Sequence, residues 1–137
     1  MPRILAIDYG GKRSGLAVTD PLQIIATALE TVPTKSLLSY LKVYLEKEEV
    51  ECFVLGAPTN LDGSDTDATA MVKVFSEKLM TQFPDKKIHF IDERFTSKMA
   101  FQSMIDSGVS KKQRREKGNI DKIAATIILQ DFMNQLP

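Results

Sequence analysis

The stretch from Arg3 to Asp20, RILAIDYGGKRSGLAVTD, limits what this chain can fold into more than any other. It reads as two strands, about residues 3 to 9 and 14 to 19, with Tyr9 to Arg13 turning between them. So short a connection forces the strands to be antiparallel. Ile4, Leu5, Ala6 and Ile7 form the unbroken apolar run of a strand covered on both faces, and Asp8 directly extends it. A buried unpaired charge is costly, so Asp8 is protonated, hydrogen-bonded or faced by a cation. Capping the Gly10-Gly11 turn with its own side chain would satisfy it without any function.

Further along, residues 26 to 32, ATALETV, make a weaker strand, and the flanking Pro21 and Pro33 suit a sheet edge. Leu37, Leu38, Leu41, Tyr44 and Leu45 recur at helical spacing up to a charged EKEE run, the solvated end of a helix with one buried face. CFVLGAP reads as a buried strand that breaks at Gly56 and Pro58. The turn-rich TNLDGSDTD then opens a helix with Ala68, Val72, Phe75 and Leu79 along one face. KIHFI, residues 87 to 91, is a fifth strand ending in Asp92-Glu93-Arg94. A helix starting near Thr96 or Ser97 and stopping by Gly108 follows, then a basic stretch KKQRREKG and a last helix from about Ile120 to Asn134. No repeat or domain boundary interrupts residues 1 to 137, which fit one domain.

An antiparallel start followed by alternating strands and helices predicts an α/β fold. Its sheet is mixed and five-stranded, with the fourth and fifth strands parallel to the first and helices on its faces. The carboxyl ends of those three strands then share the edge where open α/β sheets collect ligands. Asp8, the loop after Gly56, and Asp92 with Glu93 all fall there. The last helix adds Asp121, on one stripe with Ala124, Ala125 and Ile128, whose small residues allow close approach to the sheet. If its N-terminus points to that edge, three carboxylates meet, and one or two divalent ions with oxygen ligands, Mg²⁺ or Mn²⁺, resolve their repulsion. The competing reading makes Asn119 an N-cap and Asp121 a first-turn acid favoured by the helix dipole, by about 0.3–1 kcal/mol.

Composition narrows the partners. Acidic and basic residues balance at 18 each, so any nucleic-acid contact must be local. Cys52 sits within an apolar run, reads as core, and has no second cysteine to pair with. With no signal-like N-terminus and no apolar run of about 20 residues, a soluble cytoplasmic protein without membrane attachment is the expectation.

Four signatures stand in order: AIDYGGKRSGLAVTD, VLGAPTNLDGS, IDERFTS and KGNIDKIAATIILQ. On these, nearly the whole chain resembles the YqgF family, also called RuvX, of pre-16S rRNA nucleases with the RNase H-like fold of Holliday junction resolvases. The resemblance implies that Asp8, Glu93 and Asp121 match the family's acidic active-site positions, with Asp92, Arg94 and Thr96 in the same signature. Ser14, where a larger aliphatic is common, and Ala57, where Leu is usual, depart from the pattern without touching the acids.

Such a site hydrolyses phosphodiesters by two-metal chemistry, Asp8 bridging or anchoring the ions and Glu93 and Asp121 completing their coordination. Lys12, Arg13 and Arg94 are candidate phosphate contacts, as are Lys112, Arg114 and Arg115 of the basic stretch, which reads equally as a solvated loop. Asn60 and Thr96 are candidate substrate contacts, though turn formation alone explains Asn60; Tyr9 reads equally as a base-stacking ring or a core residue, and His89 as a structural residue within a strand. The implied substrate is structured RNA, the 5′ end of pre-16S rRNA, with ribosomal precursor particles as partners. Alternatives are a DNA junction resolvase and a binding factor without chemistry, which would gain from lysines where this chain keeps acids. A nucleotide hydrolase or kinase, suggested by Asp8-x-Gly10-x4-Gly15, normally needs a much longer chain than 137 residues.

Overall fold

The structure is a computed structural model that describes residues 2–57, 67–92 and 117–135. Strands β1 (Arg3–Asp8), β2 (Arg13–Thr19) and β3 (Ala26–Pro33) come first, then a 3₁₀ turn (Thr34–Ser36) and helix α1 (Leu37–Lys47). Strand β4 (Val50–Ala57), helix α2 (Asp67–Gln82), strand β5 (Lys87–Asp92) and helix α3 (Lys117–Gln135) follow. The strands form one five-stranded sheet in the order β3-β2-β1-β4-β5. β1 pairs antiparallel with β2 and parallel with β4, β2 pairs antiparallel with β3, and β4 parallel with β5. This is the mixed sheet that the sequence pattern predicts.

Each element follows from its side chains. β1 is central, and Ile4 through Ile7 are buried, as an uninterrupted apolar run requires when both faces are covered. β3 is an edge strand, largely exposed, ending at Pro33. There the Glu30 carboxylate accepts the Thr31 N–H at 3.0 Å, occupying a backbone donor of the edge. In α1, Leu37 and Leu41, four residues apart, are fully buried. Its charged end is solvated, with Glu48 held at 3.3 Å by Arg3.

The two sheet faces have different cores. Leu5, Ile7, Leu16, Val18, Phe53 and Leu55 meet α1 and α2 through Leu37, Leu41, Val72, Phe75 and Leu79. Opposite them Ile4, Ala6, Ala17, Cys52 and Val54 meet α3 through Ala125, Ile128, Leu129 and Phe132. No helix among the described residues is long and apolar enough to cross a membrane.

Three local expectations are corrected. β4 does not break at Gly56: Gly56 pairs with Ile91 and Ala57 with Asp92, because a glycine inside a fully paired central strand still completes its backbone ladder. Arg13 belongs to β2 rather than to the turn, paired with Pro33 of β3. α3 begins at Lys117, so Asn119 lies inside the helix instead of capping it, and its first turn contains no acid. Cap propensity is a local preference of about 1 kcal/mol, which the packing of a long helix on a sheet overrides. The helix expected from Thr96 or Ser97 to Gly108 lies outside the described residues.

Candidate active site

Asp8 closes β1 at the carboxyl edge of the parallel strands, opposite Gly15 of β2. On its other side β1 runs beside β4, where Ile7 pairs with Leu55, so the next step of the register reaches Gly56. Side chains alternate along a strand, and Ile4 and Ala6 belong to the α3 core, so Asp8 falls on the α3 side of the sheet. It is half-buried there. Both strand neighbours on that face are glycines, and neither brings a side chain beside the carboxylate. The flanking pair went unnoticed in the sequence, because Gly15 and Gly56 become neighbours of Asp8 only once the strand register is known.

The direction of α3 decides whether Asp121 is near. Phe132 packs with Ile4 and Cys52, and its ring lies 4.9 Å from His89, all toward the starting ends of β1, β4 and β5. Gln130, Met133 and Asn134 line a groove with Ile24, Ile25 and Ala26 where β3 begins. The C-terminal half of α3 therefore covers the amino edge of the parallel strands. At about 1.5 Å per helical residue, the path from Phe132 back to Asp121 covers about 16 Å. From Ile4 to Asp8 a strand rises about 13 Å. A helix of that length running back from the amino edge is long enough to reach the carboxyl edge that Asp8 occupies, and Asp121 sits one helical turn before Ala125.

Of the other candidates, Lys12 is exposed in the turn and Arg13 exposed at the start of β2, both within a few residues of Asp8. Gly10 is required in that turn, since a Cβ on it would stand 2.3 Å from the Arg13 carbonyl oxygen. Tyr9 stacks on Phe75 with ring centroids 4.7 Å apart, so its ring is part of the core beneath the turn. His89 is likewise packed against Phe132, as a structural residue would be. Glu93, Arg94, Thr96, Asn60, Lys112, Arg114 and Arg115 lie outside the described residues. Among the described residues no group of three or more His, Cys, Asp or Glu side chains is close enough to hold a metal ion.

The opposite edge offers different chemistry. A groove of ≈ 570 Å³ there is lined by Ile4, Gln23, Glu51, Cys52, Asp85, Lys87, His89 and Phe132, and contains none of the candidate acids. Burial pushes the Cys52 thiol up to about 11, which keeps it protonated and unreactive near neutrality. Between β2 and β3, Asp20 accepts the backbone N–H groups of Ile24 and Ile25, both at 2.7 Å. Those bonds, Ile25's first, draw its carboxyl below the usual carboxylate value.

The sheet order and the placement of α3 define an RNase H-like fold. Thermus thermophilus RuvC, solved in complex with a Holliday junction substrate, shares it: the TM-score is 0.58 over 98% of this chain and 96% of that one, at 16% identity. Such low identity speaks for the fold alone. The family profile described as "RuvX: Holliday junction resolvase" matches residues 2–135, and the chain belongs to the RuvX family. A relative from Flavobacterium johnsoniae is 53% identical over 98% of this chain and 97% of its own length. Another, from Porphyromonas gingivalis, is 47% identical over 98% and 97%. Both carry the name "Putative pre-16S rRNA nuclease".

Proposed function

We propose that this protein is a metal-dependent endonuclease that hydrolyses phosphodiester bonds in structured RNA, maturing the 5′ end of pre-16S rRNA on ribosomal precursor particles in the cytoplasm. The family supports the nuclease class, and the names of the relatives support the substrate. One observation supports the site: Asp8 ends β1 at the carboxyl edge, and α3, whose C-terminal half covers the amino edge, runs back from there toward Asp8's edge with Asp121 near its start. Asp121 lies beyond the first turn of α3, so helix-dipole stabilisation gives little reason for an acid there. Glu93, the residue after β5, is proposed as the third acid, and residues 1–137 as one nuclease domain.

The donor set fits a hard cation. Oxygen ligands suit Mg²⁺ or Mn²⁺, and the two described residues that would favour a softer ion, Cys52 and His89, line the groove at the far edge. Asp8, Glu93 and Asp121 would hold one or two ions, whose chemistry is to acidify a water and offset charge on the leaving oxygen. Lys12 and Arg13, exposed beside Asp8, bind phosphates flanking the scissile bond. Arg94, Thr96 and Asn60 contact substrate near the acids, and Lys112, Arg114 and Arg115 hold the backbone further along.

A DNA junction is the second reading, favoured by the fold shared with RuvC. A cleavage assay offering a pre-16S rRNA 5′-leader fragment and a four-way DNA junction side by side, with Mg²⁺, Mn²⁺ or EDTA, tests both. Metal-dependent cutting of the RNA is the expected result. Preferential cutting of the junction would replace the substrate, and cutting of both in EDTA would overturn the metal site.

A further inference from the structure

The turn that carries Lys12 and Arg13 is built on two consecutive glycines, which leave a chain at its most mobile unless something holds it. Two hydroxyls from distant parts of the sequence do so. Thr34, at the start of the 3₁₀ turn, donates its hydroxyl proton to the Gly10 carbonyl at 2.5 Å. Ser14 of β2, fully buried, lies 2.9 Å from the same Thr34 oxygen. A hydroxyl has one proton, and that of Thr34 is committed to Gly10, so Ser14 is the donor between the two. The Ser14 oxygen in turn accepts the Gly10 N–H at a longer 3.4 Å. The chain of bonds closes on itself, beginning and ending on the two backbone groups of Gly10. The Thr34 N–H adds a bond to the Lys12 carbonyl at 2.9 Å.

We propose that Ser14 and Thr34 are positioning residues that fix the Gly10–Lys12 turn so that Lys12 and Arg13 meet the substrate's phosphates in a preset geometry. The inference rests on the phosphate-binding role proposed above for Lys12 and Arg13. The latch engages only the backbone of Gly10 and Lys12, while Lys12 and Arg13 stay exposed at the protein surface. Without it, the ordering of a Gly-Gly turn would fall on substrate binding instead of folding, and affinity would drop with no cation removed. Beneath the turn, the Tyr9–Phe75 stack and Met71, 3.5 Å from a Cβ built on Gly11, give it a floor. The floor fixes its height and the hydroxyl pair its path.

The test compares Thr34→Val, which keeps the shape and removes the hydroxyl, with Thr34→Ser, which restores it, and with Lys12→Ala/Arg13→Ala. Binding of a pre-16S rRNA 5′-leader fragment is measured across a salt series in EDTA, so that cleavage does not intervene. Thr34→Val should bind on the order of tenfold more weakly with an unchanged salt slope, because both cations remain. Thr34→Ser should recover most of the loss. Lys12→Ala/Arg13→Ala should lower the slope by about two, one for each released counterion. Hydrogen exchange at the Gly10 amide should accelerate in Thr34→Val and serves as a readout independent of RNA. Wild-type affinity for Thr34→Val together with faster Gly10 exchange, or unchanged exchange at Gly10, would overturn the latch and leave the phosphate role standing. An unchanged salt slope in Lys12→Ala/Arg13→Ala would overturn the phosphate role, and the latch's function with it.

Discussion

The two faces of the sheet are built from different sizes of residue, and the difference separates stability from function. Toward α1 and α2 the strands present Leu5, Ile7, Leu16, Phe53 and Leu55, bulky groups that interlock and hold helices at ordinary distance. Toward α3 they present the small Ala6, Ala17 and Cys52 among Ile4 and Val54, and α3 answers with Ala124 and Ala125 ahead of Ile128, Leu129 and Phe132. Small residues on both sides bring a helix close to a sheet. Asp8, Gly15 and Gly56 lie on this thinner face, at the end where α3 begins. The bulky face makes the fold stable, and in the proposed site the smaller residues of the other face would set how near Asp121 comes to Asp8.

Truncation on the bulky face should show the largest energetic effect. Phe53 is fully buried and packs its ring 5.6 Å from Phe83, so Phe53→Ala should cost about 3–5 kcal/mol in a denaturant melt. The cleavage rate of the fraction that remains folded should not change, because Asp8 lies on the opposite face of the sheet. Enlargement on the thin face should do the reverse. Ala125 is completely buried where α3 meets the sheet, and Ala125→Leu should cost about 1–3 kcal/mol through overpacking. It should also depress cleavage out of proportion, by tilting α3 away from Asp8. Equal activity per folded molecule in both variants would break the comparison.

The smallest effect lies at the far end of the thin face, where α3 covers Cys52. Its thiol is raised from an ordinary value of 9.0 to about 11 by burial. A group that ionises less readily when folded lets the unfolded chain lose its proton first. The wild type should therefore lose stability between pH 9 and 11 in a component that Cys52→Ala lacks, and native Cys52 should resist alkylation at pH 8. Rapid native-state alkylation would mean that α3 does not cover that end.

The sequence made the antiparallel start, the edge character of β3 and the helical stripe of Ala124, Ala125 and Ile128 legible, because each is written in local periodicity. Asp8 stood out for the same reason, a carboxylate ending an apolar run. Local reasoning failed where tertiary pairing decides. Gly56 looked like a strand terminator and is a paired strand residue, held by β5. Asn119 looked like a cap and lies inside α3. Ser14 and Thr34 are 20 residues apart in sequence, and nothing in either segment announces that their hydroxyls meet. The glycines flanking Asp8 needed the strand register to become neighbours.

The central claim is that Asp121 serves a metal site with Asp8 and Glu93, and the most direct measurement is of Asp121→Asn. Thermal melts in EDTA and in excess Mg²⁺ would be paired with cleavage of the rRNA leader fragment. The account predicts no loss of stability in EDTA, and a gain if repulsion among the acids dominates, since one of three like charges is removed. The Mg²⁺-induced rise in melting temperature should shrink, and cleavage should fall by on the order of a hundredfold or more as charge stabilisation of the transition state weakens. A variant that melts lower in EDTA, responds to Mg²⁺ as the wild type does and still cleaves RNA would contradict it.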